Sequence, residues 1–96
     1  METIRFAVDK QCIKKIETPY LVAGTKNYLQ AAFTFDSTWS GFKKVAVFNS
    51  KYYRPIVNGK CVVPEEVTAL HRFSVGVVGD KDGVRITTNT DIIDQG

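Results

Sequence analysis

The feature that most constrains this chain is alternation with period two. In TIRFAV (residues 3–8) Ile4, Phe6 and Val8 fall on one face, with Thr3 and Arg5 on the other. LQAAFTF (29–35) repeats the pattern with Leu29, Ala31, Phe33 and Phe35 inward and Gln30 and Thr34 outward, and RFSVGVVG (72–79) repeats it with Phe73, Val75 and Val77. Successive side chains of a strand point to opposite sides, so each stretch reads as a half-buried β-strand. KKVAVFN (43–49) is apolar on both faces, the pattern of a strand covered on both sides, and it adds Val47 and Phe48 to the expected core.

Turn chemistry fills the gaps. Asn58-Gly59 lies between two β-branched pairs, where both residues tolerate the positive φ of a tight hairpin, and Asp80 to Gly83 joins the RFSVGVV strand to VRITTN. One short helix is expected over residues 65–70: Pro64 opens it, Glu65 and Glu66 suit its positive end, and Val67, Leu70 and His71 fall three or four apart. With Cys12 to Ile16 and Tyr52 to Val57 added, the chain reads as all-β, a single β-sandwich or small barrel of seven to eight short antiparallel strands spanning residues 1–96.

Near the C-terminus GVRITTNTD (83–91) crowds hydroxyls behind an arginine. The period turns Ile86 inward with Thr88 and leaves Arg85, Thr87 and Asn89 outward, and threonine suits a pleated strand. The stretch therefore reads as scaffold at a hairpin's end, with no active site required.

At 96 residues there is room for one core and little else. Apolar residues at 44% and charged residues at 24% match an ordinary globular domain and exclude disorder. The net charge of +3 comes from scattered positives, such as Lys14 with Lys15 and Lys43 with Lys44. A nucleic-acid groove needs a denser stripe, so nucleic acid is not the expected partner. The N-terminus carries no apolar run of signal-peptide length, and no stretch is long and apolar enough to span a membrane as a helix. Cys12 and Cys61, each in an apolar run without a metal-ligand neighbour, read as buried small hydrophobes.

The residues argue against catalysis. His71 is the one histidine and stands in a loop, neither cysteine has the frame of a nucleophile, and Asp80 and Asp82 are turn residues lacking the rest of a calcium loop. Gly76, Gly79 and Gly83 have no following helix to make a phosphate loop, so no catalytic, metal or cofactor residue is assigned.

The aromatics divide. Trp39 and Phe42 flank Ser40-Gly41, where an indole plugs the end of a sheet or, alternatively, stacks on a sugar or base. Tyr20, Tyr28, Tyr52 and Tyr53 are the remaining polar rings. Adjacent Tyr52 and Tyr53 must face opposite ways, so at least one is exposed beside Arg54, a pairing that protein interfaces enrich. Lys51, Tyr52, Tyr53 and Arg54, with Arg85, Thr87 and Asn89, form the candidate interaction surface. Phe6, Phe33, Phe35, Trp39, Val47, Phe48, Phe73, Val75, Val77 and Ile86 form the expected core.

Four stretches in order, AVDKQCIKKIETPYLVAGTKNY, FTFDSTWSGFKKVAVF, CVVPEEV and FSVGVVGDKDGVRITTN, cover nearly the whole chain. Together they resemble a small all-β domain of tail, baseplate or fibre proteins from tailed phages and prophages of Gram-positive bacteria. The resemblance implies a non-enzymatic virion module, assembled in the host cytoplasm, that docks a longer appendage. Relatives often continue into a stalk or receptor-binding head, whereas this chain stops at Gly96. The implied partners are other virion proteins or copies of the chain itself, with a trimer among the symmetric arrangements. Two other readings are a carbohydrate-binding module for cell-wall polysaccharide, stacking on Trp39, Tyr52 or Tyr53, and a single-stranded nucleic-acid binder of small-barrel type.

Overall fold

Two β-sheets face each other across one core. A computed structural model of the chain describes residues 2–17 and 29–94, and Tyr20 and Tyr28 lie outside the described residues. The strands are β1 (Glu2–Asp9), β2 (Cys12–Glu17), β3 (Leu29–Phe35), β4 (Lys43–Phe48), β5 (Tyr52–Pro55), β6 (Lys60–Val62), β7 (Arg72–Lys81), β8 (Val84–Thr87) and β9 (Asp91–Asp94). One sheet has the order β2-β1-β3-β6. The other has the order β5-β4-β7-β8, with β9 also paired to β7. The fold is the expected all-β sandwich, with more strands than the seven or eight read from sequence. The pairs are antiparallel except β1 with β3, which run parallel from Glu2↔Leu29 to Val8↔Phe35. Alternation shows which residues face inward, but it does not show which strand lies alongside.

Turns fix the hairpin registers. Asn58 and Gly59 have φ of 53° and 75°, and Asp82 and Gly83 have φ of 49° and 81°, the double positive values of a type I′ turn. Asn49 and Ser50, both at φ 55°, make a third such turn between β4 and β5. That turn was not signalled, because serine in the left-handed region lacks glycine's steric freedom. The expected helix is a single turn, α1 (Glu65–Thr68), which buries Val67 and Thr68 and leaves Leu70 exposed beyond its end.

The core is aromatic along its length. Phe6 stacks on Phe33 at 5.2 Å between centroids, Phe35 leans on Trp39 at 5.4 Å, and Phe48 meets Phe73 at 6.3 Å. Trp39 ends a 3-10 turn (Ser37–Trp39), is fully buried, and donates Nε1–H to the Lys10 carbonyl at 2.7 Å. It is a plug at the end of the sandwich. Phe6, Phe33, Phe48, Phe73, Val75 and Val77 are buried as expected, while Phe35 and Ile86 are half-buried and pack against that cluster. Val47 is a correction. In β4 it is Ala46 and Phe48 that enter the core, and Val47 lies half-buried on the outer face of its sheet. Cys12 is a second correction: it is exposed at the start of β2, and only Cys61 is buried.

Candidate docking surface

The two outer faces of the sandwich differ in chemistry. Outside β1, β2, β3 and β6 the register gathers Thr3, Arg5, Lys14, Gln30, Thr34 and Lys60 together with Ala7, Ala32 and the exposed Val62, a mostly polar side of the kind a sheet presents to water. Outside β4, β5, β7 and β8 the rows are apolar. Tyr53 stands beside Val47 and Gly76, and the next row runs Pro55, Val45, Val78 and Thr87. Ile92 on β9 extends this face beside Ser74. Tyr53 is 58% exposed and Ile92 46% exposed. Among the described residues no layer covers this face.

A charged row closes one end of it. Lys43, Asp80 and Arg85 are cross-strand neighbours, and Arg85 Nε donates to Asp80 Oδ1 at 3.0 Å while Nη2 donates to Oδ2 at 3.4 Å. The hydrogen bond and the charge of Asp80 push the Arg85 guanidinium further above its usual value. The centre of the face holds a hollow of about 200 Å³, lined by Val47, Tyr53, Gly76, Val78, Thr87 and Thr90 among others. Its floor is low because Gly76 has no side chain. A Cβ there would lie 3.4 Å from the Asn89 carbonyl and 3.4 Å from Thr90 Cγ2.

The close approach of residues 89 and 90 reflects a β-bulge. The partners of β7 shift from Val78↔Thr87 on β8 to Val75↔Asp91 on β9, which leaves one extra residue opposite Gly76. Thr88 bridges the gap: its N–H donates to the Val77 carbonyl at 3.0 Å, and its hydroxyl accepts the Val77 N–H at 2.9 Å. Asn89 is then carried to the other sheet. Its Oδ1 accepts the Ile13 N–H at 2.8 Å and its own N–H donates to the Gln11 carbonyl at 3.1 Å. The Asp91 carboxylate accepts the Lys15 N–H at 2.7 Å and the Ile92 N–H at 2.9 Å. The hydroxyl-rich string thus closes one side of the sandwich. Sequence pattern did not reveal this, because the partners are residues of β2 far away in the chain.

The candidate interaction residues therefore separate. Tyr53, Arg85 and Thr87 share the outer face. Tyr52 is half-buried against the core, with Lys51 Nζ 5.4 Å from the centre of its ring. Arg54 points inward from β5 and donates Nη1–H to the Tyr53 carbonyl at 2.9 Å. It lines a groove of about 440 Å³ with Pro55, Cys61, Val62, Glu65 and Glu66, between the open edges of the two sheets. Asn89 spends its side chain within the fold.

Chemistry in that groove is muted. Burial pushes the Cys61 thiol up to about 12, against a smaller pull downward from Arg54, so at neutral pH it carries no thiolate. His71 is exposed in the bend just before β7. Among the described residues there is no cluster of three or more His, Cys, Asp or Glu that could hold a metal ion, and no helix is long and apolar enough to cross a membrane. Comparison of the chain with protein-family models, curated proteins and solved structures finds no match.

Proposed function

We propose that this chain is a non-enzymatic structural module that docks protein through the outer face of the β5-β4-β7-β8 sheet, as part of a tail-tip, baseplate or fibre assembly of a phage virion. The observation that carries the reading is the contrast between the two outer faces. One is mostly polar, with Val62 exposed at its β6 edge, and the other sets Val45, Val47, Val78, Tyr53 and Ile92 together with no layer over them among the described residues. Contiguous apolar surface rimmed by charge is what protein interfaces present, with an exposed tyrosine as a frequent anchor. The virion setting rests on the sequence resemblance alone.

The test is incorporation into particles. In the bacterium that encodes it, tagged wild-type chain should remain with tail structures through gradient purification. Val47→Glu, which places a charge on the face without entering the core, should fold normally and be lost from them. Equal retention of both chains, or absence of the wild type from particles, rejects the reading.

Tyr53 also favours a second reading, as a stacking surface for wall polysaccharide, because its ring stands beside the hollow over Gly76. Trp39 takes no part in it, since the indole is buried. NMR titration of the Tyr53 ring with wall fragments decides: shifts confined to Tyr53 and its neighbours support sugar binding, and an unchanged spectrum removes it.

A further inference from the structure

We infer that β8 is the edge at which a second copy of this chain adds, antiparallel, about a two-fold axis at Ile86. This goes beyond the docking face, because it uses backbone groups in the plane of the sheet. A sheet edge presents unpaired N–H and C=O groups that invite another strand, and folded proteins normally block them. Here most edges are blocked. On β2 the outward N–H groups of Ile13 and Lys15 are taken by Asn89 and Asp91. On β6 the outward N–H and C=O of Lys60 are bonded to Val57, which leaves only Val62. On β5 the outward residues are Tyr53 and Pro55; proline has no N–H, and the Tyr53 carbonyl accepts from Arg54. On β9 the Ile92 N–H is taken by Asp91.

The edge of β8 differs. Thr88 N–H bonds the Val77 carbonyl, so the alternation of an antiparallel ladder turns Ile86 toward β7 and turns the N–H and C=O of Arg85 and Thr87 away from it. Among the described residues those four groups have no partner. A charged side chain commonly guards an edge, but the Arg85 guanidinium lies across the sheet on Asp80 and is neutralised there.

The geometry also selects the partner. If Ile86 faces its symmetry mate, Arg85 of each copy lies opposite Thr87 of the other, and both are outward-bonding residues. The four backbone groups on each copy are then all satisfied, the two arginines do not face each other, and the half-buried Ile86 side chains meet. With the β5 edge blunted, the array closes as an isologous pair.

The test uses the full chain in sedimentation from about 10 µM to about 1 mM, which spans weak association. The weight-average mass of the wild type should rise toward that of a dimer. Thr87→Pro removes an outward N–H that bonds nothing within the fold, so it should melt like the wild type and stay monomeric. A wild type that remains monomeric throughout, or a folded Thr87→Pro that associates equally, overturns the inference. If Thr87→Pro does not fold, oxidation decides in a Cys12→Ser background. Ile86→Cys should form a covalent dimer at least tenfold faster than Thr34→Cys on the polar face, and equal rates overturn it. Val47→Glu should still dimerise, which separates this inference from the docking face.

Discussion

Asn89 Oδ1 accepts the backbone N–H of Ile13 at 2.8 Å, joining the end of one sheet to the edge of the other across 76 residues of sequence. Ile13 is buried in the core, so its N–H would otherwise face a poorly hydrated edge. Leaving such a donor without an acceptor costs about 1–3 kcal/mol. Asn89→Ala should therefore lower Tm by roughly 4–8 °C for each kcal/mol lost in a domain of this size. Asn89→Asp keeps an acceptor oxygen and should recover most of the loss. Calorimetry of the two variants checks this, and equal melting of Asn89→Ala and wild type would refute the edge-capping role.

Thr88 makes a comparable substitution inside one sheet. Its hydroxyl accepts the Val77 N–H at 2.9 Å where the bulge removes the usual carbonyl, and Val77 is itself buried. Thr88→Val keeps the branched shape and deletes the acceptor, so a loss of about 1–3 kcal/mol is expected from the orphaned N–H. Thr88→Ser should be much milder. Denaturant melts, with faster exchange of the Val77 amide proton in Thr88→Val alone, provide the check.

These two residues show where sequence reading ends. The period of RITTN turns Ile86 inward and Arg85 and Thr87 outward, and these three are so arranged because local alternation is a property of the strand itself. It fails for Thr88 and Asn89, past the end of β8, where the bulge sets the Thr88 hydroxyl on the Val77 N–H and ties the Asn89 side chain to β2. What Asn89 does depends on β2, and nothing near Asn89 encodes that neighbour. The parallel pairing of β1 with β3 was hidden for the same reason. Val47 was misplaced because apolar residues on both faces of KKVAVFN suggested burial on both sides, whereas the outer valines belong to an uncovered face. Trp39 was legible: a large aromatic between a strand and a tight Ser-Gly turn has few places to go except the open end of the core.

Gly79 supports that plug. A Cβ on Gly79 would lie 2.7 Å from Trp39 Cζ3 and 3.2 Å from Phe42 Cδ2. Real side chains do not approach so closely, and the fully buried indole is held by its bond to Lys10, so it cannot swing aside freely. Gly79→Ala should cost about 1–3 kcal/mol through overpacking. Gly76→Ala, whose added carbon meets its nearest atoms at 3.4 Å, should cost clearly less. Parallel urea melts of the two variants compare the sites, and the reverse order would contradict the packing described.

The two cysteines should behave as different chemical species. Cys12 is exposed and Cys61 is buried, so an aromatic disulfide reagent at pH 8 should label one thiol per native chain and the second only on unfolding. Burial holds the Cys61 thiol near 12, above the value of about 8.5 for a free cysteine. A raised pKa works in one direction here. Below the unfolded value both states keep the proton, and the contribution to stability is whole. Between roughly pH 8.5 and pH 12 the unfolded chain releases a proton that the native chain retains, so stability falls as pH rises. The informative quantity is a difference between variants that share every other side chain. Cys61→Ala should be less stable than the wild type at pH 7 because of the cavity it leaves, yet should lose less stability between pH 8 and pH 11. Parallel loss in both proteins, or labelling of Cys61 in the native state as fast as Cys12, would show that the thiol is not shielded as its position implies.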